Sequence, residues 1–156
     1  MIHLFLRKMI KIIENGSLFE SECQTLVNTV NCIGVMGKGI ALEFKNRYPS
    51  MFKEYRILCN QKKLDIGKLW IYKAQDKWIL NFPTKYDWRM PSRNEYLERG
   101  LQKFLDTYKS KGIASIAFPL LGASNGGIDP EVSLGIMKSY LDKCDIPVEI
   151  YLNKKR

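Results

Sequence analysis

A single histidine, His3, is all that this 156-residue chain offers to imidazole chemistry. It stands at the start of the sequence, which argues against His–Asp catalytic pairs and His-rich metal sites, and no metal or other cofactor is expected. The four cysteines, Cys23, Cys32, Cys59 and Cys144, show no C-x-x-C spacing. Zinc and thioredoxin-type readings fall away, and reduced thiols of a cytoplasmic protein are expected instead. No stretch approaches the ~18 apolar residues of a membrane span, so no membrane association is expected. Basic and apolar residues open the chain, but Arg7 and Lys8 interrupt the apolar stretch and no small-residue cleavage site follows, which argues against a signal peptide. There is no internal repeat or low-complexity tract, and 11 Gly and 6 Pro are spread along the chain. Collagen-like order and disorder are excluded.

What is present is the composition of an ordinary folded protein, 46% hydrophobic and 26% charged. The length suits one domain, with a core over about 9–152, flexible ends at 1–8 and 153–156, and a monomeric state. Lys and Arg number 25 against 16 Asp and Glu, a formal net charge of +9. Such a surface concentrates anions and favours a nucleic acid or a phosphorylated small molecule as ligand, although it also serves plain solubility.

Period and punctuation predict alternating strands and helices. Strands are expected at Met9 to Ile13, Thr25 to Asn28, Leu69 to Tyr72, Trp78 to Phe82, Ile113 to Pro119 and Val148 to Leu152. A helix runs from Gly39 until Pro49 ends it, and a second begins at a capping Ser50 with Phe52, Tyr55 and Cys59 inward. Ser92-Arg-Asn-Glu95 has capping-box spacing ahead of Leu97, Leu101, Phe104, Leu105 and Tyr108, and Gly112 closes that helix. Asp129 and Pro130 suit an N-cap and first turn for a last helix with Val132, Ile136, Met137, Tyr140 and Leu141 apolar. The fold class is therefore α/β, with helices on both faces of a sheet and ligands gathered beyond strand ends.

Two Gly-bearing loops, Asn31 to Gly39 and Gly122 to Gly127, each lie between a strand and a helix. Glycine lets backbone N–H groups turn toward phosphates, and the following helix N-terminus adds partial positive charge. Two such loops suit a diphosphate, whereas either alone is also compatible with a tight turn. A Walker loop is excluded, because Cys32 stands where its first Gly is needed and Gly39 where Ser or Thr is needed. The dinucleotide fingerprint fails as well, at Leu42.

Leu26-Val-Asn-Thr-Val-Asn31, Gly34-Val-Met-Gly-Lys-Gly-Ile-Ala41 and the Pro119-Leu-Leu-Gly122 loop together resemble the macrodomain family, the ADP-ribose-binding fold. Within it, Asn81-Phe-Pro-Thr-Lys85 with Trp88-Arg89 and Ser92-Arg93 resembles the antitoxin branch that removes ADP-ribose from thymidine in DNA. The resemblance implies a three-layer α/β/α sandwich with a mixed central sheet. It implies ADP-ribose and ADP-ribosylated nucleic acid as ligands, DNA above RNA, and pairing with an ADP-ribosyltransferase toxin. Lys85 and Asn31 occupy the catalytic positions, Asn31 at the distal ribose. Val35, Met36, Gly37 and Gly39 lie along ribose and diphosphate, Ser124, Asn125 and Gly126 cradle the phosphates, and Tyr151 lies against adenine. Leu18, Asn28, Pro119, Gly122 and Ala123 complete the ligand-binding set, and Trp88, Arg89 and Arg93 meet the nucleic acid. Two departures stand out: Gly16-Ser17 where many members carry an Asp for adenine, and Gly126 where carboxylate-directed relatives carry a resolving Asp. Hydrolysis of small ADP-ribose derivatives such as the 1-phosphate, hydrolysis of protein esters, and plain ADP-ribose binding stay open as alternatives.

Overall fold

The computed structural model of the chain describes residues 10–153. His3, Met9 and the basic tail Lys154 to Arg156 lie outside them. Six strands form one sheet: β1 (Ile10–Ile13), β2 (Thr25–Val30), β3 (Trp70–Lys73), β4 (Trp78–Pro83), β5 (Ile116–Pro119) and β6 (Val148–Tyr151). Four helices accompany them: α1 (Gly39–Arg47), α2 (Pro49–Asn60), α3 (Asn94–Lys111) and α4 (Pro130–Leu141). Strand order is β1-β6-β5-β2-β4-β3, parallel throughout except for β3 against β4. No helix among the described residues is long and apolar enough to cross a membrane.

Alternation along the strands sends side chains into two cores, as a sheet covered on both faces requires. Val27, Leu80, Phe82, Ile116, Phe118 and Ile150 face α3 and α4, while Leu26, Val30, Ile79 and Ala117 face α1 and α2. The three-layer sandwich expected from the family resemblance is the fold observed.

Local expectations fail where a distant partner claims a residue. Pro49, not Ser50, opens α2, with Tyr48 as its N-cap, because the fixed φ of proline suits a first helical turn. Ser92 does not cap α3; Arg93 does, while the Ser92 N–H donates to the Gly126 carbonyl at 2.9 Å. Ile113 is not strand: Gly112 adopts φ +83° and Ile113 N–H donates to Tyr108 O, so both residues close α3 and β5 begins at Ile116. On α4 Asp129 is the N-cap and Pro130 opens the helix as expected, but the inward residues are Ser133, Met137 and Leu141. Val132 in the first turn is exposed, because Ser133 Oγ donates to Leu121 O at 2.6 Å and turns that position inward instead.

One glycine is dictated by packing rather than by a turn. A Cβ on Gly100 would lie 2.3 Å from Cζ and 2.5 Å from Cε1 of Phe82, a ring with no exposure beneath α3. Gly100→Ala gains up to about 1 kcal/mol of helix propensity, but overpacking a closed core costs about 1–3 kcal/mol. The overpacking wins, and a lower denaturation midpoint in urea at unchanged m-value is the expected result.

Candidate active site

β5, β2 and β4 are neighbours and run parallel, so the loops after them emerge on the same edge of the sheet. These three segments are the two Gly-bearing loops and the segment carrying Lys85. In the first loop, both ends of the Asn31 amide hold the chain. Asn31 Oδ1 accepts from Ile33 N–H at 3.1 Å, Val35 N–H at 3.3 Å and Tyr55 O–H at 2.8 Å, while Nδ2 donates to Val35 O at 2.7 Å. The Tyr55 hydroxyl also lies 2.8 Å from the Asn31 carbonyl, and burial raises its pKa well above the ordinary phenol range. Tyr55→Phe removes that donor from a buried acceptor at a cost of about 1–3 kcal/mol. The Ile33 and Val35 amides should then exchange hydrogen faster, which mass spectrometry or NMR would detect.

The β4 loop is stitched to the first. Thr84 N–H donates to Val30 O at 2.9 Å, Cys32 N–H to Tyr86 O at 3.0 Å, and Cys32 Sγ lies 3.4 Å from Lys85 O. Burial pushes the Cys32 thiol up to about 12, which favours its protonated form. Lys85 reaches across to the second Gly-bearing loop. Its Nζ donates to Asn125 O at 2.6 Å and to Trp88 O at 3.3 Å. Partial burial, helped by the Lys38 charge, holds the Lys85 amine below the ordinary lysine value.

Steric fit shapes the second Gly-bearing loop. A Cβ on Gly126 would stand 2.4 Å from Gly122 O and 2.5 Å from Ser92 Oγ, so a resolving Asp has no room here. Gly122 has φ +69° and is closed in by Ile128 and Leu97, while a Cβ on Gly39 would meet Asn125 Nδ2 at 3.2 Å. The two loops therefore face each other closely, with Lys85 between them. Asp129 accepts from Glu131 N–H at 2.8 Å and Val132 N–H at 3.4 Å, which accounts for it as a helix cap.

The sequence-derived residues divide by exposure. Val35, Gly37, Gly39, Ser124 and Asn125 are exposed on the loops, and Pro119 and Ala123 are half-buried beside them. Leu18, Asn28, Met36 and Tyr151 are buried. Asn28 Nδ2 donates to Asn81 Oδ1 at 3.1 Å, an amide pair bridging β2 and β4 beneath the loops. Tyr151 packs its ring edge toward Gly16 and donates to Glu149 Oε1 at 3.0 Å. Trp88 is 50% exposed, so it fills no gap over the sheet. Arg89 lies over its ring, 5.5 Å from the centroid, and carries its own counter-ion in Asp87 at 2.6 Å, whose carboxyl Arg89 lowers to about 2. Arg93 approaches Glu95 only at 3.9 Å. Tyr55, Lys38 and Ser92 were not among the site residues read from the sequence; Tyr55 was legible only as an inward-facing helix residue. Among the described residues no group of three or more His, Cys, Asp or Glu could hold a metal ion.

A sequence profile of the Macro domain matches residues 27–137. The chain is 42% identical over 142 residues to a Mycobacterium tuberculosis protein named DNA ADP-ribosyl glycohydrolase, covering 88% of this chain and 40% of that one. It is 36% identical over 156 residues to a Thermosipho africanus protein named DNA ADP-ribosyl transferase-DNA ADP-ribosyl glycohydrolase fusion protein, covering 88% of this chain and 40% of that one. The chain thus spans about two fifths of the length of the curated relatives it matches. The solved macrodomain of Mycobacterium tuberculosis DarG superposes with a TM-score of 0.87 at 41% identity, covering 92% of this chain and 99% of that one. Thermosipho africanus DarTG in complex with ADP-ribose superposes with a TM-score of 0.89 at 35% identity, covering 97% of this chain and 43% of that one.

Proposed function

The chain belongs to the macro domain family, and from that premise we propose that it hydrolyses the bond joining ADP-ribose to a base of DNA, with thymidine the favoured carrier. The observation that carries this reading is the place of Lys85: a partly desolvated amine, held 2.6 Å from the carbonyl of Asn125 between the two Gly-bearing loops. Relatives named for the same reaction, matched over most of this chain, support it.

Backbone N–H groups from Met36 to Gly39 and from Ser124 to Gly126 take the diphosphate, while Asn31, which holds both the N–H and the carbonyl of Val35, orients the distal ribose by shaping the first loop. Leu18, Met36 and Tyr151 form the buried floor toward the adenine end, and Gly16 leaves the edge of that aromatic ring uncovered by a side chain. Lys85 in its neutral form attacks the anomeric carbon of the distal ribose. The Nζ–C bond forms as the C–base bond breaks, and the base leaves with the electron pair and takes up the proton that the new secondary ammonium at Nζ gives up. Water then adds its oxygen to the same carbon as the C–Nζ bond breaks, one water proton passing to Nζ, which releases ADP-ribose and returns the neutral amine. Trp88 stacks a base of the strand, and Arg93, less tightly paired than Arg89, meets its phosphates.

The name of the Thermosipho africanus fusion supports a working partnership with an ADP-ribosyltransferase, as in a toxin and antitoxin pair. The four free cysteines fit a reducing, cytoplasmic setting. The deciding experiment incubates the chain with ADP-ribosylated DNA, RNA and protein in parallel and measures released ADP-ribose. Release from DNA above the others is expected; release only from protein would overturn the DNA assignment, and binding of ADP-ribose with no release from any substrate would make the chain a reader.

A further inference from the structure

Away from Lys85, an open groove of about 600 Å³ runs along the outer side of α1 and α2. Lys45, Lys53 and Arg56 line it, and no carboxylate does. None of the three joins an ion pair among the described residues, in contrast to Arg47, which Glu43 holds at 2.9 Å on the same helical layer. An aromatic ring sits in the middle. Lys45 Nζ is 4.4 Å and the Arg56 guanidinium 5.9 Å from the centroid of Phe52, and Ile57 beside it is 53% exposed. One end of the groove lies beside the first Gly-bearing loop, the Arg56 stem standing 3.7 Å from where a Gly34 Cβ would be. Gly34 belongs to the loop that Asn31 and Tyr55 brace, three residues before Gly37.

Three uncompensated cations around an aromatic and an aliphatic side chain form a surface that suits a polyanion carrying flat apolar groups. A protein partner with a merely acidic face would leave Phe52 and Ile57 unused, whereas a nucleic-acid strand uses both features, its phosphates on the cations and a base against the ring. We propose that this groove is a track for the sugar-phosphate backbone of the substrate strand, engaging nucleotides on one side of the one that carries ADP-ribose. The inference rests on the DNA reading above and extends it, because it makes recognition depend on strand length as well as on the modification.

The test measures affinity for an unmodified single-stranded oligonucleotide of about a dozen nucleotides over a range of salt. Three phosphate contacts on a single strand contribute about 2 to the slope of log K against log[salt]. The triple variant Lys45→Gln/Lys53→Gln/Arg56→Gln should lose that much, and Lys45→Gln/Lys53→Gln, which leaves Arg56 against Gly34, about two thirds of it. The variant Lys103→Gln/Lys138→Gln/Lys143→Gln removes equal charge from exposed positions of the α3 and α4 layer and should leave the slope unchanged. Affinity for free ADP-ribose, measured on every variant, should stay constant and certifies the fold. An unchanged slope in the groove variant, or an equal loss in both triples, overturns the track. In turnover, the groove variant should raise KM for a modified dodecamer and leave that for a modified trinucleotide alone; equal KM values for the dodecamer also overturn it. Wild-type protein that releases no ADP-ribose from DNA while its salt slope still depends on the groove would overturn the reaction and keep the track.

Discussion

Lys85→Ala should leave ADP-ribose bound and modified DNA intact. In the nucleophilic role proposed for it, Lys85 interacts with the transition state more than with the product, so release should fall by on the order of 10³-fold or more while calorimetry shows ADP-ribose affinity little changed. Lys85→Arg sharpens the point. It keeps the positive charge and can still reach toward Asn125, but a guanidinium does not become a neutral nucleophile near pH 7. Turnover largely preserved by arginine would replace the covalent role with an electrostatic one. The pH dependence follows from the same group. Burial and the Lys38 charge favour loss of its proton, and the proposed mechanism uses the neutral amine, so kcat should rise with pH through a limb lying below the ordinary lysine value. Lys38→Gln removes a like charge, raises the Lys85 pKa and should move that limb to higher pH.

Gly126→Ala is the second large effect. The added carbon would stand 2.4 Å from a backbone oxygen and 2.5 Å from Ser92 Oγ, and neither can swing away as the tip of a long side chain can. The loop must open, and Ser92 N–H loses its alignment with Gly126 O. ADP-ribose affinity should fall at least tenfold, about 1.4 kcal/mol. Gly135→Ala, with nothing within 4 Å of the new carbon on α4, is the control that should bind normally and be no less stable. Equal affinity of Gly126→Ala and the unaltered chain would show that this loop does not hold the ligand.

How far the sequence spoke for itself depended on the distance over which each residue finds its partner. The α3 stripe from Leu97 to Tyr108 and the aromatic strands β3 and β4 are local patterns, and they were readable as such. The Ser92 capping box was equally local and misleading, because Gly126, 34 positions later, claims that backbone. β2 runs on to Val30, past the expected Asn28, because its register with β4 continues as far as Pro83. Lys85 illustrates the same limit within the site. Among 25 Lys and Arg nothing in its own side chain distinguishes it, and only the family resemblance singled it out. Its contact with Asn125 and the shelter that lowers its pKa belong to the folded chain. Tyr55 presented itself as one more inward aromatic, and its hold on Asn31 lies across 24 positions.

The strand order carries a consequence for how the protein comes into being. β2 is an early strand, yet both its neighbours are late: Asn28 waits for Asn81, 53 positions on, and Gln24 for Ser115, 91 positions on. Closing such long loops must precede any reward from pairing, which places the chain among slower-folding topologies. During synthesis the first Gly-bearing loop leaves the ribosome well before the Lys85 segment, and Lys85 before the Asn125 carbonyl it will hold. A nascent chain therefore carries every glycine of the first loop without the second loop to face it, and the arrangement around Lys85 is complete only when β5 pairs with β2.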